Sequence, residues 1–188
     1  MRSVVAAAAL LITASQAYCQ TAEETMNYLL FGYEGEPIDT KIGDMTFSYK
    51  PDPEKDESIL MHAYGSFGKN NYNLDVYTAK ISSDSGCNYT IEGRMANMMI
   101  YKPGNSINYF SYHLYYDFSN ANQLILHNKD QDPSVEMTGV KISCTAGNTE
   151  FCKHNGRGAF INVGNEERLQ KAWSYFKQTY CKGKTSAF

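Results

Sequence analysis

Residues 108–118 read NYFSYHLYYDF, and six of these eleven residues are aromatic. Tyrosine and phenylalanine favour β-strands, in which alternate side chains point to opposite faces of a sheet. Five bulky apolar residues would then face a core: Phe110, Tyr112, Leu114, Tyr116 and Phe118. The opposite face would carry rings together with polar groups: Tyr109, Ser111, His113, Tyr115 and Asp117. This stretch predicts a strand with one buried and one amphipathic face.

Short segments rich in β-formers surround this strand, and turn residues separate them. The predicted strands are 46–50, 59–64, 73–81, 88–93, 98–102, 108–118, 123–127, 135–144 and 159–163. Hairpin-like spacing favours antiparallel pairing, because parallel strands need long crossover connections. Residues 123–127 would form a hairpin with 108–118 and place His127 near His113.

A helix is predicted at each end of this β-rich region. Thr21 and Glu24 have the spacing of a capping box, and an apolar stripe follows: Met26, Leu29, Leu30 and Tyr33. Asn165 is the expected N-cap of the second helix, whose stripe is Leu169, Ala172, Trp173, Phe176 and Tyr180. Gly183 is the expected stop of that helix. The predicted fold is α+β, a curved antiparallel sheet or open barrel of about eight strands with an N-terminal and a C-terminal helix.

The first nineteen residues have the organisation of a secretory signal peptide. Arg2 supplies a positive charge, and an apolar region at 4–12 is too short to cross a bilayer. Small residues permit cleavage after Ala17 or after Cys19, and we favour the second. Residues 20–188 would then form a single domain in the periplasm or outside the cell.

Cleavage after Cys19 leaves an even number of cysteines: Cys87, Cys144, Cys152 and Cys181. An even count in an exported protein favours two disulfides. Four cysteines permit three pairings. Proximity favours Cys144 with Cys152, which leaves Cys87 to join the C-terminal helix through Cys181.

Composition and charge exclude several classes of protein. The chain of 188 residues is 43% hydrophobic, with a formal net charge of −3 and no strongly basic segment. Disorder and nucleic-acid binding are therefore not expected. No apolar run reaches about 18 residues, so no transmembrane segment is predicted in the mature chain. Phosphate-binding glycine loops and H-E-x-x-H spacing are absent, and no metal or cofactor is predicted.

Three features could carry a function. The face of Tyr109, His113, Tyr115 and Asp117 offers large rings beside polar groups, which suit a protein, peptide or glycan partner. His113 and His127, with Asp117 or Asp75, could perform acid–base chemistry or bind a metal. Arg157 lies between two glycines and could hold an anion.

The two ends of the chain carry a resemblance. Residues 21–25 read TAEET after the leader, and the C-terminal segment has Ala172-Trp173, Phe176, residues 181–184 reading CKGK, and a terminal Phe188. In these segments the chain resembles small exported proteins of alphaproteobacteria. The resemblance implies a periplasmic or secreted bacterial protein, and it supplies no catalytic residues.

The sequence therefore predicts an exported, disulfide-stabilised binding or interaction module of unassigned activity. The alternative is a small secreted hydrolase or metal-dependent enzyme that uses His113, His127 and Asp117. A barrel that holds an apolar ligand is a third possibility, which the bulky inward rings argue against. Convergence of the polar side chains in a pocket would favour an enzyme, and dispersal over a surface would favour a binding module.

Overall fold

The structure is a computed structural model that describes residues 21–67, 70–97, 106–127, 134–154, 160–162 and 164–182. The helices in these ranges are α1 (Ala22–Phe31), α2 (Thr149–His154) and α3 (Glu166–Thr179). The strands are β1 (Ile38–Ile42), β2 (Met45–Pro51), β3 (Ser58–Phe67), β4 (Asn70–Ser85), β5 (Asn88–Ala96), β6 (Tyr109–Asp117), β7 (Leu124–Leu126), β8 (Val135–Met137) and β9 (Lys141–Ala146).

Seven strands form one antiparallel sheet in the order β1-β2-β3-β4-β5-β6-β9, and β7 and β8 form a second, two-stranded sheet. The α+β class, the antiparallel pairing and the two terminal helices are confirmed. Within the described residues the sheet is not closed into a barrel, since β1 and β9 are its edges. The neighbours of β6 are β5 and β9, and β7 pairs with β8 instead. The predicted hairpin between 108–118 and 123–127 is therefore wrong.

The predicted strand 135–144 divides into two strands that belong to different sheets. Gly139 lies between them with a φ of 78°, which favours glycine. A Cβ at this position would stand 2.1 Å from the carbonyl oxygen of Asn120. The turn sends β8 to β7 and β9 to the edge of the large sheet.

Other elements also differ from the predictions. The edge strand β1 and the short helix α2 were not predicted. The predicted strand 98–102 lies outside the described residues. In place of a strand at 159–163, the described part of this segment makes an isolated bridge between Ile161 and Ser134.

Asn162 explains why that segment leaves the sheet pattern. Its buried side chain donates from Nδ2 to the carbonyl oxygen of Leu29 (2.9 Å), and its Oδ1 accepts from the amide of Gly164 (2.8 Å). The last carbonyls of a helix have no partner within the helix. The segment therefore binds the end of α1 instead of extending a ladder.

Both helix starts follow their predicted caps. Thr21 and Glu24 form the capping box of α1, which ends at Gly32 in the left-handed conformation (φ 72°). Asn165 accepts from the amide of Arg168 at the start of α3. Gly183, the predicted stop, lies outside the described residues. The two apolar stripes pack on one face of the large sheet, where Phe31 meets Tyr49 and Phe176 meets Tyr89.

Tyrosine forms much of this core. Seven tyrosines are buried among the described residues: Tyr28, Tyr33, Tyr49, Tyr77, Tyr89, Tyr112 and Tyr116. The hydroxyls of Tyr49 and Tyr77 lie 2.6 Å apart, and that of Tyr49 also lies 2.5 Å from the carbonyl oxygen of Ile161. Burial raises the pKa of both tyrosines, because the interior disfavours the phenolate.

Both predicted disulfides are confirmed. Cys87–Cys181 joins the β4–β5 hairpin to the residues after α3, across 94 residues of sequence. Cys144–Cys152 joins β9 to α2 across 8 residues. The first therefore fastens the C-terminal helix to the sheet, and the second holds a local loop.

Within the described ranges, no helix combines the length and the apolar character needed to cross a membrane.

Candidate binding surface

We call the side of the large sheet opposite α1 and α3 the outer face. On β6 it carries Tyr109, Ser111, His113 and Tyr115, all exposed, whereas Tyr112, Leu114 and Tyr116 are buried on the core side. The predicted division of this strand into two faces is therefore confirmed. In register with the outer residues, Glu92 of β5 lies opposite His113, and Thr90 lies opposite Tyr115.

The structure does not assemble the predicted group of His113, His127 and Asp117. His113 Nε2 lies 2.6 Å from Glu92 Oε2, whereas His127 follows β7 in the other sheet and lies 2.8 Å from Glu136. Asp117 accepts from the amide of Ser119 at 2.9 Å. Hydrogen bonds from Ser119 lower the pKa of Asp117. Each predicted residue therefore serves a different local contact.

The other predicted residues have separate positions. Asp75 lies 2.8 Å from His62 Nδ1, whereas His113 contacts Glu92. Tyr115 is exposed between Thr90 and Ser143 of the neighbouring strands. Arg157 lies outside the described residues.

Tyr109 is held in place on the outer face. The Arg94 guanidinium lies 5.1 Å from its ring centroid, and its hydroxyl donates to the carbonyl oxygen of Asp75 at 3.1 Å. Partial burial raises the pKa of Tyr109. Arg94 also reaches Glu54 at 3.4 Å. The ring is therefore oriented before any partner binds, which reduces the entropy lost on binding.

A groove of about 290 Å³ runs over the outer face beside these residues. Its polar lining includes Lys55, Ser58, Thr78, Lys80, Glu92, Ser111 and His113. A second depression of about 400 Å³ shares Ser111 and His113 and continues over Thr145 and Gly147. The polar side chains of β6 thus separate two adjoining hollows.

The acidic loop 52–57 forms one side of the groove. Glu57 pairs with Lys80 at 2.9 Å, and Glu54 pairs with Arg94. Lys55 of the same loop lines the groove. The acidic run was visible in the sequence, but its position over β4 and β5 depends on contacts between distant strands. The alternation of side chains used for 108–118, applied equally to β4 and β5, would have indicated that Lys80 and Glu92 lie on the outer face.

The floor of the groove lies where β4 and β5 approach each other closely at Thr78 and Gly93. The Tyr112 hydroxyl donates here to the carbonyl oxygen of Thr78 at 2.7 Å. A Cβ on Gly93 would stand 1.8 Å from that same oxygen. Glycine therefore permits the close approach of the two strands.

We expect Gly93→Ala to lower the free energy of unfolding by about 3 kcal/mol, because the obstructing atom belongs to the backbone and cannot rotate away. Urea denaturation measures the change. Gly147→Ala is the matched control, since its Cβ would meet Phe110 Cβ at 3.4 Å, an ordinary contact. Equal stability of the two variants would contradict this account of the floor.

Among the described residues, no group of three or more His, Cys, Asp or Glu side chains is arranged to hold a metal ion. Searches against protein families, curated proteins and solved structures match nothing.

Proposed function

We propose that the protein is an exported, disulfide-stabilised binding module whose binding surface is the outer face. The observation that carries this proposal is the pair of exposed tyrosines on β6, at 38% (Tyr109) and 40% (Tyr115), which flank the groove residues Ser111 and His113. Tyrosine supplies a large contact area at a low cost in conformational entropy.

Export is part of the proposal. The signal-like residues 1–19 and the resemblance to small exported bacterial proteins favour the periplasm or the cell exterior. Two disulfides support the same compartment, because disulfides persist in oxidising surroundings.

The alternative is a small secreted hydrolase. The observation that favours it is the short contact of His113 with Glu92 beside the groove, since a carboxylate can orient a histidine base. Against it, His127 and Asp117 engage other partners. We therefore place binding first.

The test compares the oxidised protein with the variant Tyr109→Ala/Tyr115→Ala. Both are applied to immobilised protein, peptide and polysaccharide fractions of the envelope and medium of the producing organism. We expect at least one fraction to retain the wild type and the double variant to be retained at least about tenfold less, as for interface tyrosines.

Tyr175→Ala is the matched control, because Tyr175 is 39% exposed but lies on α3, away from the outer face. It should be retained like the wild type. Retention that does not distinguish the three proteins, or no retention by any fraction, would contradict the proposal. If the wild type releases soluble product from a retained fraction and His113→Gln does not, the result would favour the hydrolase.

A further inference from the structure

Building on the proposed function, we infer that the outer face binds a neutral oligosaccharide chain that lies along β6 from Tyr109 to Tyr115, with the groove at its side. Glycan recognition needs flat rings for the apolar C–H faces of sugars and mixed donors and acceptors for their hydroxyls. The outer face of β6 carries both kinds of group, since the exposed rings of Tyr109 and Tyr115 lie on either side of Ser111 and His113, which line the groove.

Among the described side chains that line the groove, the charged or ionisable ones other than Lys55 already have a partner. Lys80 contacts Glu57 at 2.9 Å and His113 contacts Glu92 at 2.6 Å, while Arg94 beside the groove contacts Glu54 at 3.4 Å. An ionic ligand that used these paired groups would have to displace their partners. A neutral ligand can bind beside them, because each pair presents a donor next to an acceptor.

The position of the groove on the sheet argues against an extended peptide. Peptides that add to a sheet do so at an edge, where backbone groups lack partners. The strands beneath the groove are internal: β5 pairs with β4 and β6, and β6 pairs with β5 and β9. A ligand here must therefore be recognised by side chains.

The side chains available match a sugar chain. Ser58 and Ser111 offer hydroxyls in the groove, and Thr145 continues them into the adjoining hollow. Tyr115 follows Tyr109 by six positions, which corresponds to about 20 Å along an extended strand. Rings this far apart can contact several units of a chain, which favours an oligosaccharide over a single small molecule.

The same lining favours binding without cleavage. Most glycoside hydrolases use two carboxyl groups on either side of the scissile bond. Among the described residues that line the groove, Glu92 is the single carboxylate, and it is paired with His113. The chain would therefore be held and not hydrolysed.

The experiment measures migration of the oxidised protein through native gels that contain soluble dextran, mannan or mixed-linkage β-glucan, the envelope polysaccharide of the producing organism, or the anionic polymer alginate. Retardation by a neutral polymer is followed by calorimetry with its hexasaccharide. We expect Tyr109→Ala and Tyr115→Ala each to weaken binding about tenfold or more. Tyr175→Ala should leave it unchanged, and salt should have less than about a twofold effect.

The outcomes separate this inference from the proposed function. No retardation by any neutral polymer, or retardation only by alginate that salt abolishes, would overturn the oligosaccharide assignment. If a protein or peptide fraction is still retained through Tyr109 and Tyr115, the binding module stands with a different partner. Shortening of the retarding polymer by the wild type but not by Glu92→Gln would overturn binding without cleavage.

Discussion

Replacing Cys87 and Cys181 together by alanine is expected to lower the free energy of unfolding by about 4–5 kcal/mol, the larger of two disulfide effects. The bond closes a loop of 94 residues and so removes much freedom from the unfolded chain. It also holds the end of α3, where Phe176 packs against Tyr89 and Phe118. Loss of the bond should therefore loosen the helix and the core together.

The double variant Cys144→Ala/Cys152→Ala is the matched control. Its loop spans 8 residues, for which chain entropy predicts a cost of about 2–3 kcal/mol. Urea denaturation of both variants beside the oxidised wild type measures the difference. Equal losses would show that loop length does not govern their stability, and hydrogen exchange in α3 would then identify any local effect.

Alkaline unfolding is the second large effect that we expect. Burial raises the pKa of Tyr49, Tyr77, Tyr112 and Tyr116 well above their ordinary value near 10. In the unfolded chain the same tyrosines lose protons near pH 10. Above that pH the unfolded state therefore binds fewer protons than the folded state, and stability falls as the pH rises.

Each such tyrosine contributes a loss of about 1.4 kcal/mol at pH 11, so the four together contribute about 5–6 kcal/mol. This is comparable to the whole stability of a small domain. We expect tyrosinate absorbance and the loss of near-ultraviolet circular dichroism to change together in one steep transition above about pH 11. Ionisation of these tyrosines near pH 10 in a protein that keeps its near-ultraviolet signal would contradict the assignment.

Two phenylalanine variants separate ionisation from hydrogen bonding. The buried Tyr116 hydroxyl has no hydrogen-bond partner among the described residues, whereas that of Tyr112 donates to Thr78. Tyr116→Phe should keep or raise stability at neutral pH and move the alkaline transition upward. Tyr112→Phe should cost about 1–2 kcal/mol at neutral pH. A loss from Tyr116→Phe as large as that from Tyr112→Phe would contradict this difference.

Local patterns predicted much of the fold because their physical causes are local. The cap at Thr21 needs only Glu24 three residues later, and the two faces of residues 108–118 follow from the alternation of a strand. The pairing of Cys144 with Cys152 also joins residues close in the chain. These features depend on backbone geometry that a few neighbouring residues specify.

The predicted hairpin that would bring His127 near His113 was wrong, because local patterns do not specify which strands pair. The segment 123–127 follows β6 closely in sequence, yet the strand that pairs with β6 is β9. The turn at Gly139 separates β8, which pairs with β7, from β9, which pairs with β6. His113 therefore faces Glu92 of β5, and His127 faces Glu136 of β8. The sequence could show that these histidines lie in or beside strands, but not which carboxylates lie opposite them.

The sequence by itself predicted the α+β class, both helix starts and the division of β6 into a core face and an outer face, and chain proximity favoured, among three possible cysteine pairings, the one that the structure shows. Only the tertiary structure decided the strand order, the position of the loop 52–57, and the close approach of Gly93 to Thr78 that forms the floor of the groove. The first set follows from periodicity, caps and chain proximity. The second depends on long-range packing, because a strand can pair with more than one distant strand and the turns between them determine which pairing forms.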